Sequence, residues 1–243
     1  MNAGLDVRDT VNEAYEKIAK AMFDSLQAIA KDNTSHQQSG TKDDDDKEQL
    51  NSHISMIENM HYYRETVNGS GNQSLAKYKS KAQSLFQEHL GLYLKAVIRR
   101  PLGRLLVYSI VDLSDRKDFL QGVETFVQSN PSEDVTARIS FSKSAFRKVL
   151  SHYDPKELRK GIDLLHRRVD KHFGQVQDDS DGLYGSRGPA IAKELVQEVW
   201  GECQKEYVEV VELCKRIVTT HYADGVQIEF SRNDVNEAFA RWN

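Results

Sequence analysis

The sequence predicts an all-α protein, drawn out as an elongated rod of packed helices, and three observations predict it. Only four prolines and fourteen glycines interrupt 243 residues, so long unbroken elements are favoured. Apolar residues recur three and four apart through most of the chain, the spacing of a helical face. The stretch from Pro189 to Tyr222 holds no further Pro and only one Gly, Gly201. Within it Ala192, Val196, Val199, Cys203, Tyr207, Val210, Cys214, Ile217 and His221 form a seam. Leu195, Trp200 and Val211 widen that seam, so more than one neighbour must cover it. A helix of that length spans roughly 50 Å at ~1.5 Å per residue, and only other long helices can pack along it.

The remaining elements follow in order. Val11 to Lys31 reads as a helix with Val11, Tyr15, Ile18, Met22, Leu26 and Ile29 on its buried stripe. Residues 32–47 read as a polar, mobile loop. Its end, Asp43-Asp44-Asp45-Asp46-Lys47, has the form of an enterokinase cleavage sequence and equally suits a helix start; natural sequence or engineered insertion both stay open. Glu48 to Val67 carries two apolar lines, Leu50-Ile54-Ile57 and Met56-Met60-Tyr63-Val67, and is expected to be wedged between neighbours. A third helix runs from Gln73 or Ser74 to Ile98, where Pro101 interrupts it or opens a new one. Leu102 to Leu113 and Phe119 to Val127 are apolar and helical, hinged at residues 114–118. Asn130-Pro131-Ser132 is the clearest break, and a boundary placed there gives helical bundles over 1–130 and 131–243. Ser142 caps a short helix carrying Phe146, Val149 and Leu150. Asp154-Pro155 starts another, burying Leu158, Ile162, Leu165 and Val169 and ending near Gly174. After a loop over 175–188 comes the long helix. Asp224-Gly225 then turns the chain, Val226 to Phe230 reads as a short extended piece, and Ser231 with Asp234 caps a last helix bearing Val235, Phe239 and Trp242.

Composition narrows function by exclusion. Net charge is −4, mean hydropathy −0.63, and no apolar run is long enough to cross a bilayer. No leader sequence is evident, and two unpaired cysteines eleven residues apart on one helix, roughly 16 Å along its axis, fit a reducing cytosol. No cofactor is expected. No metal is expected either: His53 and His61 lie eight apart, about 12 Å along a helix, and His166 and His172 point in different directions. The glycine-rich run 182–188 lacks the strand and the Lys-Ser/Thr of a phosphate loop, and no serine sits in a nucleophile elbow. No catalytic residue is assigned. One feature offers a binding surface. From Lys95 to His172 there are 16 Lys/Arg against 10 Asp/Glu, a local +6, so the remainder is −10. Arg99, Arg100 and Arg104 cluster around Pro101; Lys143, Arg147 and Lys148 follow; Lys156, Lys160, Arg167, Arg168 and Lys171 belong to the next helix. A solvated face explains such charges, with local pairs worth a few tenths of a kcal/mol. An acidic protein partner or anionic phospholipid explains them as well, at about 1 kcal/mol per cation near such a surface. Nucleic acid is not expected, because aromatics are not interleaved with the cations.

Several segments, in order, resemble the exocyst complex component 1 family. They are Ile98-Arg99-Arg100-Pro101-Leu102-Gly103-Arg104-Leu105 with Phe119-Leu120-Gln121-Gly122-Val123-Glu124, then Phe141-Ser142-Lys143 through Val149. Lys160-Gly161-Ile162 with Arg168-Val169-Asp170-Lys171-His172, Val196 to Trp200, Glu206-Tyr207, Val226 to Phe230, and Leu50-Asn51-Ser52-His53 with Ile57 to His61 complete the set. Residues 107–117 look like an insertion against that pattern. The resemblance implies the C-terminal part of a vesicle-tethering subunit, built of stacked antiparallel helical bundles. It implies a non-enzymatic scaffold in exocytosis, with other exocyst subunits as partners, at the cytoplasmic face of plasma-membrane sites of secretion. The family's phosphoinositide- and small-GTPase-binding N-terminal region has no counterpart in these residues. The rival expectation is a peripheral phosphoinositide-binding module using the basic segment 95–172.

Overall fold

The computed structural model describes residues 3–35, 42–70, 73–106, 119–174, 188–223 and 225–242, and no strand occurs among them. The helices are α1 (Ala3–Ser35), α2 (Lys42–Ser70), α3 (Gln73–Ala76), α4 (Lys79–Leu106), α5 (Phe119–Ser129), α6 (Lys143–Leu150), α7 (Pro155–Val169), α8 (Gly188–His221) and α9 (Arg232–Ala240). Two short 3₁₀ turns lie between α5 and α6, and a π turn, Asp170–Gly174, follows α7. The chain forms two units, Met1–Tyr93 with His172–Leu195, and Leu94–Lys171 with Val196–Asn243.

In the first unit, α1 packs on α2 and α3 through Phe23. That ring is fully buried, 5.1 Å edge-on from Tyr63 and 5.6 Å stacked on Tyr78. Ala19, one turn earlier, is also buried. Glu16 pairs with Lys77, Asp24 lies 3.9 Å from Lys81, and the Lys81 ammonium sits 5.1 Å over the Phe23 ring. The expected stripe was therefore the wrong face: Val11, Tyr15, Ile18 and Ile29 are exposed. An aromatic cage for one Phe, with ion pairs beside it, outweighs a larger set of apolar residues that no neighbour buries among the described residues. Helix also occupies residues 32–35 and 42–47, inside the stretch read as loop. The two apolar lines of α2 do bury Met56, Ile57, Met60 and Val67. At the end of this unit, the Tyr93 hydroxyl and His172 Nδ1 are hydrogen-bonded at 3.0 Å, and Phe173 stands edge-on to Tyr93 at 5.1 Å.

In the second unit, α8 is the central element. Val199, Trp200, Cys203, Tyr207, Val211, Cys214 and Ile217 are all buried, as the seam predicts. Both thiols are free, and burial pushes Cys214 up to about 12 and Cys203 higher still, which leaves them protonated and inert. Trp200 packs 4.3 Å from Phe239 and Tyr207 5.6 Å from it, so α9 is clamped by aromatic contact. Pro101 does not end α4; helix runs through it to Leu106. Leu102 is buried, and a methyl group at Gly161 of α7 would lie 3.2 Å from Pro101 Cβ and 3.5 Å from Tyr207 Oη. Close packing around Pro101 holds the turn that proline weakens. Phe119, Phe141, Phe146 and Tyr222 form an aromatic cluster, with the Tyr222 hydroxyl donating to Phe141 O at 2.7 Å.

The predicted caps are present. Ser142 accepts from Ala145 N, Asp154 from Glu157 N at 2.7 Å, and Ser231 and Asp234 form a reciprocal capping box. Gly225, at φ 137°, makes the turn that a side chain would strain. Val226 to Phe230 forms no strand, and its end residues are buried as coil. The region read as an insertion, 107–117, and the hinge after it lie outside the described residues, as does most of the loop over 175–188.

Replacing Phe23 with Ala is expected to cost about 3–5 kcal/mol, and urea denaturation with amide exchange should show α1 losing protection first. A second expectation concerns pH. His53 and His89 face each other with Nδ1 atoms 3.0 Å apart, one donating and one accepting. Burial holds both imidazoles below their ordinary value; the neighbouring His89 charge adds to this for His53, and Glu88 opposes it for both. The unfolded chain thus binds protons at a pH where the folded one does not. Stability from the pair is complete above the ordinary imidazole value of about 6.5 and falls as pH drops below it. Thermal melts across that range should show this slope, and His53→Gln should flatten it.

Candidate partner-binding site

Helix α7 starts at the Asp154 cap and presents Lys156, Arg159 and Lys160 over its first turns. The end of α9 lies against it. Trp242 Nε1 donates to Asp163 Oδ1 at 3.0 Å, and its ring stacks on His166 at 4.1 Å and 15°. His166 in turn meets Trp200 edge-on at 4.9 Å. Burial pushes the His166 imidazole below its ordinary value, against the opposing charges of Asp170 and Asp163, so the ring stacks as a neutral group near neutral pH. This sandwich fixes Arg241, the residue before Trp242, beside the start of α7.

The result is an open groove of about 600 Å³ lined by Asp154, Pro155, Lys156, Arg159, Lys160, Asp163 and Arg241. Four cations face two carboxylates there. Both carboxylates have structural work, Asp154 on the Glu157 amide and Asp163 on the indole. Arg159 lies 3.6 Å from Glu237 and Lys160 3.5 Å from Glu157, both pairs largely exposed and worth little each. Lys156 and Arg241 have no carboxylate partner among the described residues. A concave surface with excess positive charge and displaceable ion pairs can accept a carboxylate- or phosphate-bearing segment.

Of the cations singled out in the sequence, the structure brings Lys156 and Lys160 together here. Arg99, Lys148, Arg167 and Lys171 are exposed on their own helices, apart from this groove. Arg147 is engaged by its own chain, its Nε donating to Gly225 O at 2.6 Å. Lys143 is half-buried and adds to the field that holds the Asp134 carboxyl low, behind that group's hydrogen bonds to Thr136. Arg168 is half-buried. The side chains of Arg100 and Arg104 lie outside the described residues. Two groove residues were missed. Arg159 shares its helix side with Lys156 and Lys160, so helical spacing alone could have found it. Arg241 enters only through the packing of α9 on α7 and left no local signal. Among the described residues no cluster of three His, Cys, Asp or Glu could hold a metal, and no helix is long and apolar enough to cross a membrane.

Comparison with known proteins places this architecture. The chain is 25% identical over 230 residues to exocyst complex component 1 of Mus musculus, covering 94% of this chain and 21% of that protein. It is 22% identical over 237 residues to exocyst complex component 1 of Drosophila melanogaster, covering 97% and 22%. It is 20% identical over 217 residues to exocyst complex component SEC3A of Arabidopsis thaliana, covering 88% and 20%. The chain thus spans about a fifth of the length of the curated relatives it matches. No solved structure matches significantly. The family model described as exocyst complex component Sec3, C-terminal, matches residues 1–224, and with most of its length matched the chain belongs to that family.

Proposed function

We propose that this chain is a non-enzymatic scaffold of an exocyst assembly, acting in the docking of secretory vesicles at the plasma membrane through contacts with other exocyst subunits. The observation that carries this reading is the family match over residues 1–224. The groove at α7 and α9 supplies a physical means, since Lys156, Arg159, Lys160 and Arg241 can engage an acidic stretch of a partner subunit. The other cations of the segment, Arg99, Arg100, Arg104, Lys143, Arg147, Lys148, Arg167, Arg168 and Lys171, extend the field that steers such a partner toward it. The protein works from the cytoplasm, held peripherally at sites of secretion by its partners.

A protein partner fits better than a lipid surface. Asp154, Glu157, Asp163 and Glu237 stand among the cations and would face the headgroups of a flat anionic bilayer at close range. An acidic segment can thread between them. No chemistry is required of such a scaffold, and its energetics rest on several modest docking contacts.

The test is reconstitution with recombinant exocyst subunits, comparing this chain with Lys156→Glu, Lys160→Glu and Arg241→Glu combined. All three side chains are exposed, so the fold should persist, as thermal melts would verify. Loss of partner binding by about tenfold or more at low salt, shrinking as salt rises, is the expected result. Unchanged affinity would remove the groove from the interface. Groove-dependent flotation with phosphoinositide vesicles would favour the lipid reading instead.

A further inference from the structure

The groove at the start of α7 has a charge pattern that narrows what can fill it. Four cations, Lys156, Arg159, Lys160 and Arg241, stand against Asp154 and Asp163, a net +2. Lys156, Arg159 and Lys160 fall at helical spacings of three and four, so they rise from one side of α7 within about 6 Å of its axis. Asp154 and Asp163 bracket that turn, nine residues or about 14 Å apart. The positive window is therefore one turn long, with a carboxylate at each end. Arg241 reaches it from α9, held there by the Trp242 stack on His166 and the indole bond to Asp163.

That window selects a compact dianion over a run of carboxylates. Along an extended acidic segment, charges on one side recur about every 7 Å, so the second or third falls on Asp154 or Asp163. A phosphomonoester concentrates about −1.5 to −2 at one point near neutral pH and offers three acceptor oxygens, which matches the excess of the groove. Arg159 and Arg241 come from different helices and present planar donor forks suited to phosphate oxygens, while Lys156 and Lys160 add point charges. Arg159 and Lys160 are held by Glu237 and Glu157 in exposed pairs at 3.6 and 3.5 Å. A phosphate that takes those cations frees both carboxylates beside it. There they favour basic or neutral residues next to the phosphate and oppose acidic ones.

We propose that the groove recognises a phosphoserine or phosphothreonine in a partner segment with basic or neutral flanks, so that docking is gated by phosphorylation. This rests on the reading of the groove as a partner contact, and narrows its ligand from acidic segments in general to one phosphorylated residue. A protein kinase acting before docking supplies the ligand. The γ-phosphoryl group of ATP passes to the partner's hydroxyl oxygen, the hydroxyl proton goes to the kinase's base, and ADP leaves. A phosphatase, hydrolysing the ester to the hydroxyl and inorganic phosphate, releases the partner.

Fluorescence polarisation of the whole chain with three synthetic peptides tests the ligand. Each has Arg, Gly and Ala around its centre, which is phosphoserine, serine or Glu-Glu. The phosphoserine peptide is expected to bind about tenfold or more tighter than either of the others. Arg159→Gln combined with Arg241→Gln should abolish that preference and leave the melting temperature unchanged, since both side chains are exposed. Lys148→Gln, exposed and outside the groove, should preserve it. Equal binding of all three peptides, or a preference that survives the double substitution, overturns the proposal. Tighter binding of inositol trisphosphate than of the phosphopeptide overturns it in favour of a soluble polyphosphate. Docking to exocyst subunits purified from eukaryotic cells separates the proposal from the reading beneath it. Phosphatase treatment should weaken docking as much as the double substitution does. Docking lost with the double substitution but indifferent to phosphatase overturns the phosphate alone. Docking indifferent to both overturns the groove as a contact, and the proposal with it.

Discussion

The buried seam of α8 is the constraint on which the second unit depends. Its large residues fall on more than one side, so a single partner helix cannot cover them. Trp200 takes Phe239 and His166, while Tyr207 takes Phe239 and reaches toward Gly161. Once those positions are filled, the placement of α7 and α9 is fixed, and with it the close approach of Gly161 to Pro101. The seam is apolar enough that even its two cysteines serve as packing groups, their thiols held protonated by burial.

The groove is a by-product of that packing. Trp242 is anchored between His166 and Asp163 because α9 must lie on α7, and its neighbour Arg241 is thereby delivered to the lysines at the start of α7. The cap Asp154 and the acceptor Asp163 contribute carboxylates already committed to the fold. A surface assembled this way is electrostatically biased, four cations standing against two carboxylates that already serve the fold.

The sequence was most legible where local chemistry decides the outcome. Asp154-Pro155, Ser142 and the Ser231–Asp234 box start helices because side-chain oxygens meet free amides within three residues. The apolar sets of α6, α7 and α8 are buried much as their spacing implies. It was least legible where two faces competed. On α1, the aliphatic line lost to Ala19 and Phe23 because Tyr63 and Tyr78, far along the chain, build a cage that no local pattern announces. Pro101 read as an interruption or the first turn of a new helix, yet packing from Leu102 and α7 sustains one helix through it. His53 was weighed against His61 on its own helix, whereas its true neighbour is His89 on another.

By itself, then, the sequence determined the all-α class, nearly every helix, the caps, and the family to which its ordered motifs belong. These rest on interactions spanning a few residues, which periodicity and cap chemistry report directly. The tertiary structure decided which face of α1 is buried, which histidines meet, and which of eleven scattered cations share a groove with Arg159 and Arg241. Those outcomes depend on pairing between elements distant in the chain, where the energy of one well-caged aromatic ring can override the sum of a helix's own preferences.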